Sequence, residues 1–400
     1  MQIVLYTILG LFVFIFLIWL DLFLGRKKHY KTITKHEFPN RSSHFELFTS
    51  GPVLFDDLFS EIRKAKHHIH ILFYICKNDE ISKEFLMLLK EKAQKGVEVR
   101  LMLDWFGGRK VKKNVLKQLE KAGVEFAYSR APTFPFLIYF SQVRNHRKIA
   151  VIDGKVGYLG GFNVGKEYID LDKKLSPWRD YHLKVAGEGA ADLQHQFLVD
   201  WKNGAQVNLL QNEIYFPRLE KGNIKHKFIS SEGPMLEDIF LNILRKAKKS
   251  IVIGSPYFIP TKPIFKELCN ALERGIMLTI IVPQISDHIL VKEASYPYLR
   301  TLLKKGASIH AYKKGFYHAK VLLVDDQFCD LGTPNFDARS MKINDEMNCL
   351  IEDMEMVQKV RAVLRKDLLD SEKISLSHIK PGNVFVLLKE WLGRIFAPLL

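Results

Sequence analysis

Two stretches of the chain place the same reactive side chains at the same intervals. In RNHRKIAVIDGKVGYLGGFN, His146, Lys148 and Asp153 stand in an H-x-K-x4-D pattern, followed by Gly160, Gly161 and Asn163. In YHAKVLLVDDQFCDLGTPN, His318, Lys320 and Asp325 repeat the pattern, followed by Gly332, Thr333 and Asn335. His to Asn is 17 positions in both copies, and Asp to the first Gly is 7. A single short motif arises by chance, but two in register with matched Gly and Asn do not. Imidazole, ammonium and carboxamide together suit a phosphate group. His146, Lys148, Asp153, His318, Lys320 and Asp325 are therefore the candidate catalytic set, with Asn163 and Asn335 as phosphate-binding candidates. Displacement at a phosphodiester needs a nucleophile on one side of phosphorus and an acid for the leaving oxygen on the other. One histidine cannot do both; two histidines flanking one phosphorus can. The lysines and asparagines would stabilise charge on the non-bridging oxygens. Each imidazole also needs a carboxylate to fix its tautomer. Asp180 in WRDYHLKV and Glu346 in KINDEMN, 34 and 28 residues after the histidine of their own half, are the candidates.

The elements that must position these residues are legible around them. KIAVID and KVLLVD read as buried strands, and residues two apart on a strand share a face, so each His stands beside its Lys. Asp153-Gly154 and Asp325-Asp326 are turn residues that let a second strand return and bring the Gly-x-Asn segment back. The repeat extends further. GPVLFDDLFSEIRKAKHHIHI from Gly51 returns as GPMLEDIFLNILRKAKKSIVI from Gly233, KEKAQKGVEVRLMLD is echoed by ALERGIMLTIIVP, and LEKAGVEFAY by LKKGASIHAY. Each half alternates helix and strand, an α/β pattern. The expected organisation is an anchor at 1–25, a linker at 26–44, lobes at 45–222 and 223–380, and an amphipathic tail at 381–400, with the lobes joined near 220–226.

At the N-terminus, Ile3 to Leu20 is an uncharged apolar run that Leu22 to Leu24 extend past Asp21, long enough to span a bilayer. Arg26, Lys27, Lys28 and Lys31 follow it, which predicts a single-pass protein of the cell membrane with its catalytic part in the cytoplasm. The net charge of +16 and pI near 9.4 point to a polyanionic partner: nucleic acid, an anionic membrane or a phosphorylated substrate. The four cysteines form no C-x-x-C pair, and HExxH, EF-hand and P-loop patterns are absent, so no metal or nucleotide cofactor is expected. Two apolar stretches stay open. PTFPFLIYF at Pro132 to Phe140 is either a membrane-surface element or a buried strand, and VFVLLKEWLGRIFAPLL from Val384 either an interfacial helix or one packed on a lobe.

These motifs resemble the phospholipase D superfamily from about residue 45 onward. Within it, NHRKIAVIDGKVGYLGGFNVG, WRDYHLKVAGEGAADLQHQFLVDW, GSPYFIP and FAPLL resemble bacterial cardiolipin synthases, especially the short Bacillus-type ones. The resemblance implies two phospholipase D-like lobes, mixed sheets flanked by helices, with pseudo-two-fold symmetry. It implies phosphatidyl transfer between two phosphatidylglycerol molecules, giving cardiolipin and glycerol through a phosphatidyl-histidine intermediate, without metal. Anionic phospholipid and membrane would be the partners, and nucleic acid is not expected. A phospholipase D-type hydrolase or a nuclease is the alternative. Two spans are common in the family and this chain shows one; Pro334 and Asp345 stand where relatives often carry a small residue and an aromatic.

Overall fold

The computed structural model describes residues 2–33, 36–288, 290–380 and 384–396. Among the described residues, each half lays seven of its strands in the same order. In the first half the order is Val124–Ser129, Glu98–Asp104, His68–Phe73, Ile149–Ile152, Val156–Gly160, Trp178–Gly187 and Arg41–Ser50. In the second it is Ser308–Tyr312, Met277–Pro283, Ser250–Gly254, Val321–Val324, Phe328–Gly332, Asp345–Ile351 and Ile224–Glu232. The first three strands of each series are parallel, and from the third strand onward neighbours are antiparallel, so both sheets are mixed. Arg41–Ser50 also pairs with Ile224–Glu232, which joins the two series edge to edge. That strand begins at Ile224, so the connection between halves is the loop 206–223 rather than a stretch reaching 226.

The central strands are buried on both faces, which explains their nearly unbroken apolar runs. The pleat divides each strand between two cores. Ala150 and Ile152 face one that holds Phe55, Phe59 and Leu89 from helices Gly51–Lys64 and Glu80–Gln94, whereas Ile149 and Val151 face the other. Val321 and Leu323 enter that same second core, together with Phe197 and Trp201 of helix Glu188–Ala205 and Val357, Val360 and Leu364 of helix Met354–Leu369. One continuous core thus holds the two sheets together around these two helices.

The anchor helix, Gln2–Thr32, is the one helix among the described residues long and apolar enough to cross a membrane, and its apolar window is unburied. It does not end at residue 25. Its last turns dock against the protein: Asp21 Oδ1 accepts the Tyr139 N–H at 2.8 Å, and His29 Nδ1 lies 3.0 Å from the Tyr139 hydroxyl. A Cβ on Gly25 would fall 2.5 Å from the Tyr139 Cβ, so only glycine permits this approach. The segment 132–140 is not a buried strand. It ends in the short helix Leu137–Phe140, with Tyr139 buried and Phe134, Leu137 and Ile138 exposed. At the other end of the chain, helix Val384–Phe396 packs on helix Val291–Lys304 through an Arg300 fork on Glu390, at 2.8 and 2.5 Å, and turns Leu387, Leu388 and Trp391 outward. Residues 381–383 and 397–400 of the expected tail lie outside the described residues.

Candidate active site

Each motif histidine lies just before a strand of its own half, on an extended segment stitched to a strand of the other half. Arg144–His146 runs parallel to the start of Asp345–Ile351: the His146 N–H donates to the Asp345 carbonyl and the Asp345 N–H to the Arg144 carbonyl, both at 2.9 Å. Symmetrically, Phe316–Tyr317 pairs with Trp178–Arg179, and the His318 N–H donates to the Arg179 carbonyl at 2.7 Å. The next residue on each receiving strand is the carboxylate. His146 Nδ1 therefore lies 3.0 Å from both Glu346 oxygens, and His318 Nδ1 lies 2.5 Å from Asp180 Oδ2. Asp180 and Glu346 do meet the histidines, but crossed between halves, not each within its own as the sequence spacing suggested. Parallel pairing between the halves is the cause, and no local pattern encodes it.

A carboxylate can only accept, so Nδ1–H donates in both pairs and Nε2 keeps its lone pair. Burial holds both imidazoles down to about 4, neutral at pH 7. Burial works against the Glu346 carboxylate too, but His146 and Lys148 outweigh it and bring it down to about 2. Burial also lowers the ammonium groups, Lys148 to about 7 and Lys320 to about 8. Lys148 Nζ donates to the His146 carbonyl at 2.6 Å; Lys320 Nζ lies 2.7 Å from His318 Nδ1 and 3.7 Å from Asp180 Oδ2. The two sets form one electrostatic site, since the Lys320 charge bears on His146 and on Lys148, and Asp180 on Lys148. An incoming anionic phosphate would reprotonate these groups.

Asp153 and Asp325 do not belong to the pocket, contrary to their place in the candidate catalytic set. The Asp153 carboxylate accepts the N–H groups of Lys66, His67 and His68 at 2.9, 2.8 and 3.0 Å. Asp325 accepts those of Lys248, Lys249 and Ser250 at 2.8, 2.7 and 2.9 Å. A strand separates each from its lysine, about 16 Å at the ordinary rise per residue. Both aspartates tie down the turn between a helix and the strand after it. The asparagines are also engaged: Asn163 Oδ1 accepts the Ile75 N–H at 3.0 Å and its Nδ2 faces the Tyr168 hydroxyl at 3.3 Å, while the Asn335 side chain bonds Asp337.

Sequence reasoning gave Thr333 no role, although it occupies the motif position of Gly161. The Thr333 hydroxyl donates to Glu346 at 2.5 Å. At Gly161 any Cβ would fall 2.1 Å from Asp180 Oδ1, so the first copy needs the glycine where the second uses a hydroxyl. A buried ionic network behind the histidines was also missed. Arg130 forks onto Asp345 at 2.5 and 2.6 Å, and Arg147 binds Asp200 at 2.9 Å and the Glu346 carbonyl at 3.1 Å. Arg147 alternates with His146 and Lys148 and so points to the opposite face. Its position between the two was the available signal.

A duplicated α/β fold with two crossed histidine sites that bear on each other electrostatically defines a phospholipase D-like protein. Residues 58–176 and 240–368 match the family described as cardiolipin synthase, PLD-like domain, and the chain belongs to that family. It is 41% identical to the minor cardiolipin synthase ClsB of Bacillus subtilis (strain 168) over 382 residues, 96% of each chain. It is 36% identical to the cardiolipin synthase of Oceanobacillus iheyensis, over 89% of this chain and 75% of that one. Among solved structures, phosphatidylserine synthase of Haemophilus influenzae Rd KW20 superimposes with a TM-score of 0.74 at 16% identity, covering 93% of this chain and 96% of that one. At that identity the likeness speaks for the fold alone.

Proposed function

We propose that this chain is a membrane-anchored cardiolipin synthase, a phosphatidyltransferase acting on two molecules of phosphatidylglycerol. The single observation that carries the mechanism is the crossed pair of imidazoles, each held by a buried carboxylate through Nδ1 so that Nε2 keeps its lone pair, with the Lys320 Nζ 3.2 Å from that of His318. One Nε2 attacks the phosphorus, the bond from phosphorus to the glycerol oxygen breaks, and the second imidazole, protonated as the anionic lipid enters, gives its proton to departing glycerol. The phosphatidyl group then rests on histidine. A hydroxyl of the second phosphatidylglycerol loses its proton to the second imidazole and attacks phosphorus, the N–P bond breaks, and cardiolipin leaves. Lys148 and Lys320 balance charge on the non-bridging oxygens in both steps. The basic cluster after the span supports a cytoplasmic catalytic domain.

Purified full-length protein in phosphatidylglycerol vesicles should release one glycerol for each cardiolipin formed. Phosphatidic acid as the main product would make it a hydrolase, and cleavage of DNA without lipid turnover would make it a nuclease.

A further inference from the structure

At the rim of the first half, the loop 105–113 reads WFGGRKVKK, without an acidic residue. Trp105 and Phe106 are 37% and 43% exposed, and Arg109, Lys110, Lys112 and Lys113 are exposed around them. The Arg109 guanidinium lies 4.0 Å above the Phe106 ring. The loop is fixed, because a Cβ on Gly107 would fall 1.9 Å from the Tyr74 carbonyl oxygen and one on Gly108 2.6 Å from the Leu103 Cβ. Asp104 accepts the Phe106 N–H at 2.9 Å and, through its other oxygen, the Asn145 N–H at 2.9 Å, one residue before His146. Arg144 joins the loop to the segment beside the anchor helix: it binds Asp104 at 2.9 Å and the Phe140 carbonyl at 3.1 Å, with both rings about 6 Å away.

We propose that loop 105–113, together with Phe134, Leu137 and Ile138, is a second membrane contact that seats the side of the molecule bearing the His146 segment on an anionic bilayer surface. The anchor helix sets the level. Gly25 closes its apolar run directly against Tyr139, so the neighbouring exposed Phe134, Leu137 and Ile138 stand where the bilayer surface must be. Aromatic rings among Lys and Arg are the composition of an interfacial contact, and four cations without an acid select a negative leaflet. The contact reaches the chemistry through Asp104 and Arg144, which flank His146. This proposal rests on the lipid-substrate reading but is measured without turnover.

A nitroxide placed by Phe106→Cys, in full-length protein with Cys269→Ser and reconstituted in phosphatidylglycerol vesicles, reports the contact directly. It should collide with oxygen and be shielded from an aqueous nickel chelate, as should one placed by Leu137→Cys. One placed by Met277→Cys, at the opposite end of the parallel strands, should show the reverse. A label at 106 as open to the chelate as that at 277 overturns the proposal, as does a label shielded by single-stranded DNA and not by vesicles. The triple variant Lys110→Gln, Lys112→Gln, Lys113→Gln should raise KM about tenfold on phosphatidylglycerol diluted in zwitterionic lipid and leave kcat on pure phosphatidylglycerol unchanged. An equal fall in kcat with KM unchanged overturns it. A shielded label at 106 in a protein that turns over no phosphatidylglycerol upholds the contact and removes the function.

Discussion

At each histidine the orienting carboxylate belongs to the opposite half, and this decides how variants must pair. Asp180→Asn should mimic His318→Gln, and Glu346→Gln should mimic His146→Gln, each lowering kcat by about a hundredfold or more. The check is trapping of the phosphatidyl-enzyme with radiolabelled lipid: whichever histidine variant abolishes labelling, its partner in the other half should impair it too. Pairing within one half would contradict the crossing. The lysines set the pH response. Their charge binds phosphate and their values lie near 7 and 8, so kcat/KM should fall as pH rises through that interval. A profile still flat above pH 8 would put them outside the site.

At the scale of elements, Asp153 and the anchor helix are the informative cases. Because Asp153 caps three N–H groups at a turn, Asp153→Ala should cost about 2 kcal/mol of stability, seen as a lower Tm, with turnover per folded molecule nearly kept. The strands, the turns and the pairing of His with Lys were legible in the sequence, since period and turn residues are local signals. The distance from Lys148 to Asp153 was legible too, but a carboxylate within the motif looks catalytic until the strand between is measured. The crossing was not legible, because Asn145 beside Asp345 is a contact between halves. Nor was the helix beyond residue 25, which docking rather than apolarity extends. Gly25→Leu should force the helix off Tyr139; overpacking of this kind costs about 1–3 kcal/mol. Insertion into membranes should persist while the detergent-solubilised protein melts earlier.

Across the whole molecule, burial of neutral histidines makes the fold acid-sensitive. His68, His146, His226 and His318 are lowered by burial to about 4 and His182 to about 3. Their folded values lie below the unfolded value of 6.5, so the unfolded chain takes up protons first and stability falls as pH drops from 6.5 toward 4. Glu346, lowered to about 2, adds a further loss below 4.5. Thermal melts in detergent should therefore decline steadily over this acidic range. Both halves contribute to this behaviour, since His68, His146 and His182 lie in the first and His226 and His318 in the second.

That the two imidazoles act on one phosphorus is tested most directly by the structure of the protein with vanadate. A single vanadate should sit between the two histidines, bonded to Nε2 of one, with Nε2 of the other about 3 Å from the opposite apical oxygen. Separate anions at His146 and His318, or one anion beyond reach of the second ring, would contradict the mechanism.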